Sequence, residues 1–338
     1  LVRLQERLRN STAQSVLAMI LGGAAAVASG QPGAAQAVIG GAATIQQRSI
    51  LSYTRTMERS ADQAGFEFLE SNGLSARGLL AFLVILSGQE SLATANQDPY
   101  VRSHPLTRDR IEFLEGQVAQ SKFSDKPVRD DLKQAHDRMR AKLKGYLNPL
   151  ARTLKEFPET DTSVPARYAR AIAYKEKHRV AEALALVDGL IAESPNDPFF
   201  HELRGDVLQD AGRVAESVAP YRKSVEILPW AALIRINLSQ SLLELNDPAL
   251  DREALENLVE AIRYEPEIPL AWRLMSTAYS RSGDDANVML ALAEEALLTG
   301  KPDVAQYRAS RALELLPTGS AGWVRAQDIK NATDKSKK

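Results

Sequence analysis

The chain has 338 residues, 44% of them hydrophobic and 25% charged, the ordinary make-up of a soluble globular protein with room for two or three domains. Forty-two basic residues against forty-three acidic ones leave a net charge of -1, so bulk electrostatics recommends neither nucleic acid nor an anionic membrane as a partner. There is no cysteine, which excludes disulfides, thiolate zinc sites and cysteine nucleophiles; any metal must be held by histidines and carboxylates.

The chain opens on Leu1 without the basic, apolar and small-residue pattern of a signal peptide, and "LVRLQERLRN" reads as an amphipathic helix already in progress. The expectation is a fragment whose beginning is missing. From Asn10 to Gln47 no residue is charged. Within this stretch, 16–45, two Ala/Gly-rich arms meet at Gly30-Gln31-Pro32-Gly33, each about 14 residues and short of the roughly 18 to 20 that cross a bilayer. The preferred reading is a tight helical hairpin in which Gly22-Gly23 and Gly40-Gly41 allow close backbone approach. Peripheral contact with a membrane surface, or a mobile flap, stays open beside it.

A helix is predicted from Ile50 to Ser71, stopped by Asn72-Gly73, and "ARGLLAFLVILSGQ" predicts a second, strongly apolar one. The two prolines of "NQDPYVRSHPLT" interrupt the pattern, which resumes from Arg108 to Glu115. After Lys126-Pro127 comes "RDDLKQAHDRMRAKLKGYL", whose many charges read as a solvated face or a connector. The first domain is therefore placed at 1–150, a second at 151–325 and a flexible basic tail at 326–338.

Beyond Val164 the sequence repeats. "RVAEALALVDGLIAESP" (179–195) and "RVAESVAPYRKSVEILP" (213–229) superpose at a spacing of 34, with Ala183 on Ser217 and Pro195 on Pro229. A third copy carries Ala254, Ala261 and Pro266, and the last carries Gly300, Ala305, Ala309, Ala312 and Pro317. Trp272, Tyr279 and Gly283 mark a further first helix between them. Small residues let paired antiparallel helices approach, and each proline ends a second helix. This stretch, 165–317, resembles the tetratricopeptide repeat family with about four units. The resemblance implies a curved helical solenoid whose concave face docks peptides or partner proteins.

Two stretches carry candidate chemistry. In "MERSADQAG" Glu58 and Asp62 stand four residues apart and share a helix face, with Arg55 and Arg59 close in sequence. Taken alone, they read as surface charge paired to those arginines. In "SHPLTRDRIEFLE" His104 precedes the rigid turn at Pro105, and Arg110 lies just inside the next helix. The joint order, a Glu-x-x-x-Asp helix followed some forty residues later by His-Pro and an arginine, resembles the gluzincin metallopeptidases of the BepA and HtpX kind. The Ala/Gly hairpin, the apolar helix and the repeats at the carboxy-terminal end extend the likeness over essentially the whole chain.

That resemblance implies a zinc metalloendopeptidase (Zn2+) of the bacterial periplasm. It would act on misfolded or stalled envelope proteins, with the repeats recruiting protein substrates or the envelope assembly machinery. It makes Glu58 the third protein ligand of the zinc, Asp62 an acceptor that orients a ligand histidine, and His104 a metal-approaching switch on access. Arg110 becomes a buried or cleft-lining cation that steadies the His104 turn or a developing oxyanion.

The sequence departs from the family in one respect. No His-Glu-x-x-His helix occurs in these 338 residues, so two imidazoles and the general base are missing, and the chain by itself is expected to be inactive. "HELRG" at 201 has Gly205 where the second histidine belongs, and His136 and His178 read as surface residues. No P-loop and no nucleophile elbow is present. Aromatics such as Tyr168, Tyr221, Trp272 and Tyr279 fall at repeat packing positions, which speaks against nucleic-acid stacking. The fold class expected is all-α, and the alternative function is a non-catalytic repeat adaptor.

Overall fold

The computed structural model of the chain describes residues 56–88 and 108–334. Among these described residues there are fifteen helices and no strand, so the all-α expectation holds. They fall into two compact units that part between Leu132 and Lys133.

The first unit holds α1 (56–71), α2 (Arg77–Ser87) and α3 (Arg108–Gln120). Asn72-Gly73 stops α1 as expected, because Gly73 takes a φ of 64°. The Leu74 amide then donates to the Leu69 carbonyl at 2.9 Å and the Gly73 amide to that of Glu70 at 3.0 Å. This left-handed cap satisfies carbonyls that the last turn would otherwise leave open. The core collects Phe66 from α1, Leu83 from α2, and Leu114 and Val118 from α3. The loop after α3 is tied to the α1–α2 corner by polar contacts: Ser121 Oγ donates to Glu70 at 2.6 Å, and Ser75 Oγ and Arg77 Nε donate to the Ser124 carbonyl at 2.7 and 3.0 Å.

The second unit takes most of α4 (Asp130–Leu147), then α5 (Leu150–Glu156), and continues in antiparallel pairs. These are α6 (Val164–Lys175) with α7 (Val180–Glu193), α8 (Pro198–Asp210) with α9 (Val214–Ile227), and α10 (Ala232–Glu244) with α11 (Pro248–Tyr264). Then follow α12 (Pro269–Arg281), α13 (Asp285–Leu298), α14 (Pro302–Leu315) and α15 (Ala321–Thr333). The division falls earlier than the sequence boundary at 150, since α4 packs with the repeats. A Cβ on Gly145 would meet the Ala169 carbonyl at 2.8 Å and Ile172 at 2.9 Å, and Ala141 is fully buried.

The small residues behave as the spacing predicts: Ala183, Ser217, Ala254 and Ala305 are all completely buried. Gly205 is the tightest contact, for a Cβ there would lie 2.6 Å from the Tyr221 ring. Tyr168 and Tyr221 are core residues, Tyr168 meeting Phe200 edge-on at 5.5 Å. The turns between paired helices also repeat, with His178, Gly212, Asn246 and Gly283 each in the left-handed region. A further period joins the pairs. His201 Nε2 lies 2.8 Å from the Pro195 carbonyl, Arg235 Nε donates to Pro229 at 2.6 Å, and Trp272 Nε1 donates to Pro266 at 2.8 Å.

Toward the end, α13 packs against both α12 before it and α14 after it, so the final repeat shares a helix with the further first helix marked by Trp272. The expected flexible tail at 326–338 is corrected for its first part. Residues up to Thr333 continue α15, with Ala326, Ile329 and Thr333 buried, and Arg325 clamps the buried Glu294 of α13 with Nη2 at 2.8 Å. Basic composition suggested fraying, but apolar residues three and four apart turn one face inward. Among first helices, α6 touches α8 and α10 touches α12, closer approaches than their second helices make, so the first helices line the inner face.

Candidate functional site

Glu58 and Asp62 are not surface charge. Asp62 is 4% exposed, and the Glu58 side chain retains 12% of its accessible surface. Arg59 turns elsewhere, its guanidinium 5.3 Å above the Phe113 ring. The cation that meets the acidic pair is Arg110, 48 residues from Asp62 in the chain and itself 4% exposed. Its Nε donates to Asp62 Oδ2 at 2.6 Å and its Nη2 to Oδ1 at 2.8 Å, a bidentate fork, while Nη1 stands 3.1 Å from Glu58 Oε2.

The local sequence explains the convergence. An i, i+4 spacing on α1 lines up the two carboxylates, and Arg110 sits at the third position of α3, where the helix starts and its side chain points back across α1. Leu114 and Val118, on the same face of α3 as Arg110, bury against Phe66. The apolar core thus sets the register that brings the guanidinium to the acids. Planarity and five fixed donors let arginine serve both carboxylates at once, which a lysine could not do.

His104 lies outside the described residues, as does the 16–45 hairpin. The other histidines fall where the sequence placed them: His136 and His178 are exposed, and His201 serves as a link between repeats. Among the described residues no helix is long and apolar enough to cross a membrane, and no group of three His, Cys, Asp or Glu side chains is placed to hold a metal. Glu58 suits one position of a zinc site, being a carboxylate whose direction a neighbouring guanidinium fixes. Asp62 gives both oxygens to Arg110.

A second polar cluster escaped the sequence reading. Glu202, Asp206 and Asp210 follow at i, i+4 and i+8 on α8, a spacing that puts all three on one face. Burial, then the Glu202 charge, pushes the Asp206 carboxyl up to about 6, although the Tyr221 hydroxyl donates to it at 2.8 Å. Lys175 of α6 reaches Asp210 at 2.8 Å.

Residues 2–118, which contain the arginine and its two acids, match Peptidase family M48. The likeness to that family ends before the tetratricopeptide-like repeats begin. It is 24% identical over 300 residues to the beta-barrel assembly-enhancing protease of Yersinia pestis, covering 88% of this chain and 60% of that protein. To the protein of the same name from Escherichia coli (strain K12) it is 23% identical over 302 residues, 88% and 61% of the two. The chain thus spans about three fifths of the length of these curated relatives. Among solved structures, "MamA MSR-1 C2" covers 50% of this chain and 95% of its own at 17% identity and a TM-score of 0.41. The repeat architecture rests on the helix pairs described above rather than on that likeness.

Proposed function

We propose that the chain is part of a zinc-dependent metalloendopeptidase of the bacterial envelope, periplasmic in location. In this reading the first unit contributes to the catalytic centre and the repeats recruit protein substrates or assembly machinery. The observation that carries the reading is the buried Glu58–Arg110–Asp62 trio inside the stretch matched to Peptidase family M48. The names of the relatives, which cover the repeats as well, support the envelope setting.

In this function Glu58 is a metal ligand, and the imidazole of His104 is the group that approaches the metal and switches access to it. Arg110 is a positioning residue that holds Glu58 in place, and Asp62 holds Arg110 rather than acting directly. Zinc, when bound, polarises the scissile carbonyl and lowers the pKa of its water. The His-Glu-x-x-His pattern is absent from these 338 residues, so they do not themselves supply the general base or the two imidazoles that this reading requires.

Zinc analysis and casein cleavage test this on a version extended upstream of Leu1. One tightly bound zinc and cleavage are expected, both lost in Glu58→Gln, whereas the 338-residue chain retains no tight zinc because catalytic sites use three protein ligands. Neither metal nor cleavage in the extended protein refutes the peptidase and leaves a repeat adaptor.

A further inference from the structure

Helix α4 faces the wrong way for a structural helix. Its apolar side chains Leu132, Met139, Leu143 and Leu147, spaced to form one stripe, are 41% to 77% exposed. Toward the repeats it turns cations and small residues instead. Arg138 forks onto Asp197, with Nη2 at 2.6 Å, and its guanidinium lies 4.6 Å above the Phe200 ring and 5.4 Å above that of Tyr168. One turn on, Lys142 stands 3.4 Å from Glu202. A further turn brings Tyr146 under the Lys175 ammonium at 5.6 Å, its phenol pushed up to about 12 by burial and by Asp206.

These contacts advance together. Arg138 and Lys142 of α4 meet Asp197, which caps α8, and Glu202 within it in the same order, while Gly145 and Tyr146 approach 169, 172 and 175 of α6. The helix therefore runs parallel to two first helices, on the inner face that repeat solenoids use for binding. Ala141 is the one fully buried side chain of α4, and no α4 residue belongs to the apolar cluster beneath, which is built from α6, α7 and α8 with Leu150 and Leu154 of α5. Besides Ala141 and Gly145, what holds α4 is polar: the Arg138 fork stacked on Phe200, and the half-exposed Lys142–Glu202 pair, which contributes about 0–1 kcal/mol. Segments with few buried apolar contacts are the first to open.

We propose that α4 is a displaceable occupant of the α6–α8 inner face, and that this face takes in its place a helix of a partner protein with basic side chains four residues apart and small residues between them. The chemistry of the partner is read from the resident: cations for Asp197 and Glu202, and a glycine or alanine where the Ala169 carbonyl leaves no room for a side chain. This inference stands independently of any peptidase activity.

The probe is a fluorescent peptide of residues 130–147, titrated by anisotropy against the full chain and against its Arg138→Glu/Lys142→Glu variant, with a scrambled peptide as control. The variant, whose own α4 is repelled, is expected to bind the peptide at least about tenfold more tightly than the parent. Adding Asp197→Lys to it abolishes the gain. Equal binding to both chains, or binding to neither, overturns the proposal. Hydrogen exchange on the unaltered chain covers a variant that fails to fold: excess peptide should accelerate exchange in α4 and not in α6 or α8. Exchange in α4 that stays as slow as in α8 with peptide present overturns it equally.

Discussion

In the first unit the charged groups that matter lie inside: Glu58, Asp62 and Arg110 meet between α1 and α3, nearly out of reach of water. In the second unit, small apolar residues fill the space between helices and most ion pairs run along the outside, as Arg252 with Glu256 does at 2.9 Å. The difference teaches where each unit stores specificity. A buried trio is a poor source of net stability but a strict one of geometry, because each member punishes loss of the others. Repeats gain stability from close helix approach and carry most of their charges on the outside.

The sharpest way to break the comparison is Arg110→Ala, which strands two buried carboxylates and should cost about 3–5 kcal/mol, read as faster hydrogen exchange in α1 and α3 while the repeats keep their protection. Arg110→Lys should recover part of this, since one ammonium cannot reproduce the fork. In the repeats the comparable lesion is steric. Gly205→Ala drives a methyl into the Tyr221 ring and should cost about 1–3 kcal/mol in chemical denaturation of the second unit. Gly73→Ala, at a φ of 64°, should lower the stability of the first unit by about 1 kcal/mol without touching the trio.

Asp206 sharpens the contrast from the other side, as an acid the repeats tolerate at a loss. Its folded-state value of about 6 lies above the ordinary carboxylate range, so the folded form holds its proton more tightly. The associated stability is present at low pH and falls away as pH rises from about 4 through about 6. Asp206→Asn should therefore raise the melting temperature at pH 7.5 and flatten its pH dependence over that window. Arg252→Ala, by contrast, should leave the melting temperature unchanged, both members of its pair with Glu256 being well exposed.

Much of this was legible in the sequence. A period of 34 with a small residue at a fixed place and a proline at the end announces paired helices, because close helix approach needs the first and a helix stop the second. The acidic pair on α1 could be placed on one face but not turned inward, since Arg55 and Arg59 offered equally good partners nearby. Only the order of the two motifs pointed to Arg110. Helix α4 misled: its density of charge suggested solvent or a connector, whereas its arginine and lysine lie on the repeats and its leucines do not. The acids of α8 carried a signal, an i, i+4, i+8 series, that was overlooked beside "HELRG". The end of α15 was lost because lysines and asparagine near 330 outweighed Ala326 and Ile329 by composition, though not by position.

His201, Arg235 and Trp272 share no chemistry beyond a ring or guanidine nitrogen that reaches six residues back to a proline carbonyl. What is inherited from one unit of the array to the next is thus a span and a polarity rather than a letter. Within this one chain an imidazole, a guanidine and an indole do the same work at successive seams, each joining the start of a first helix to the proline that closed the helix before it.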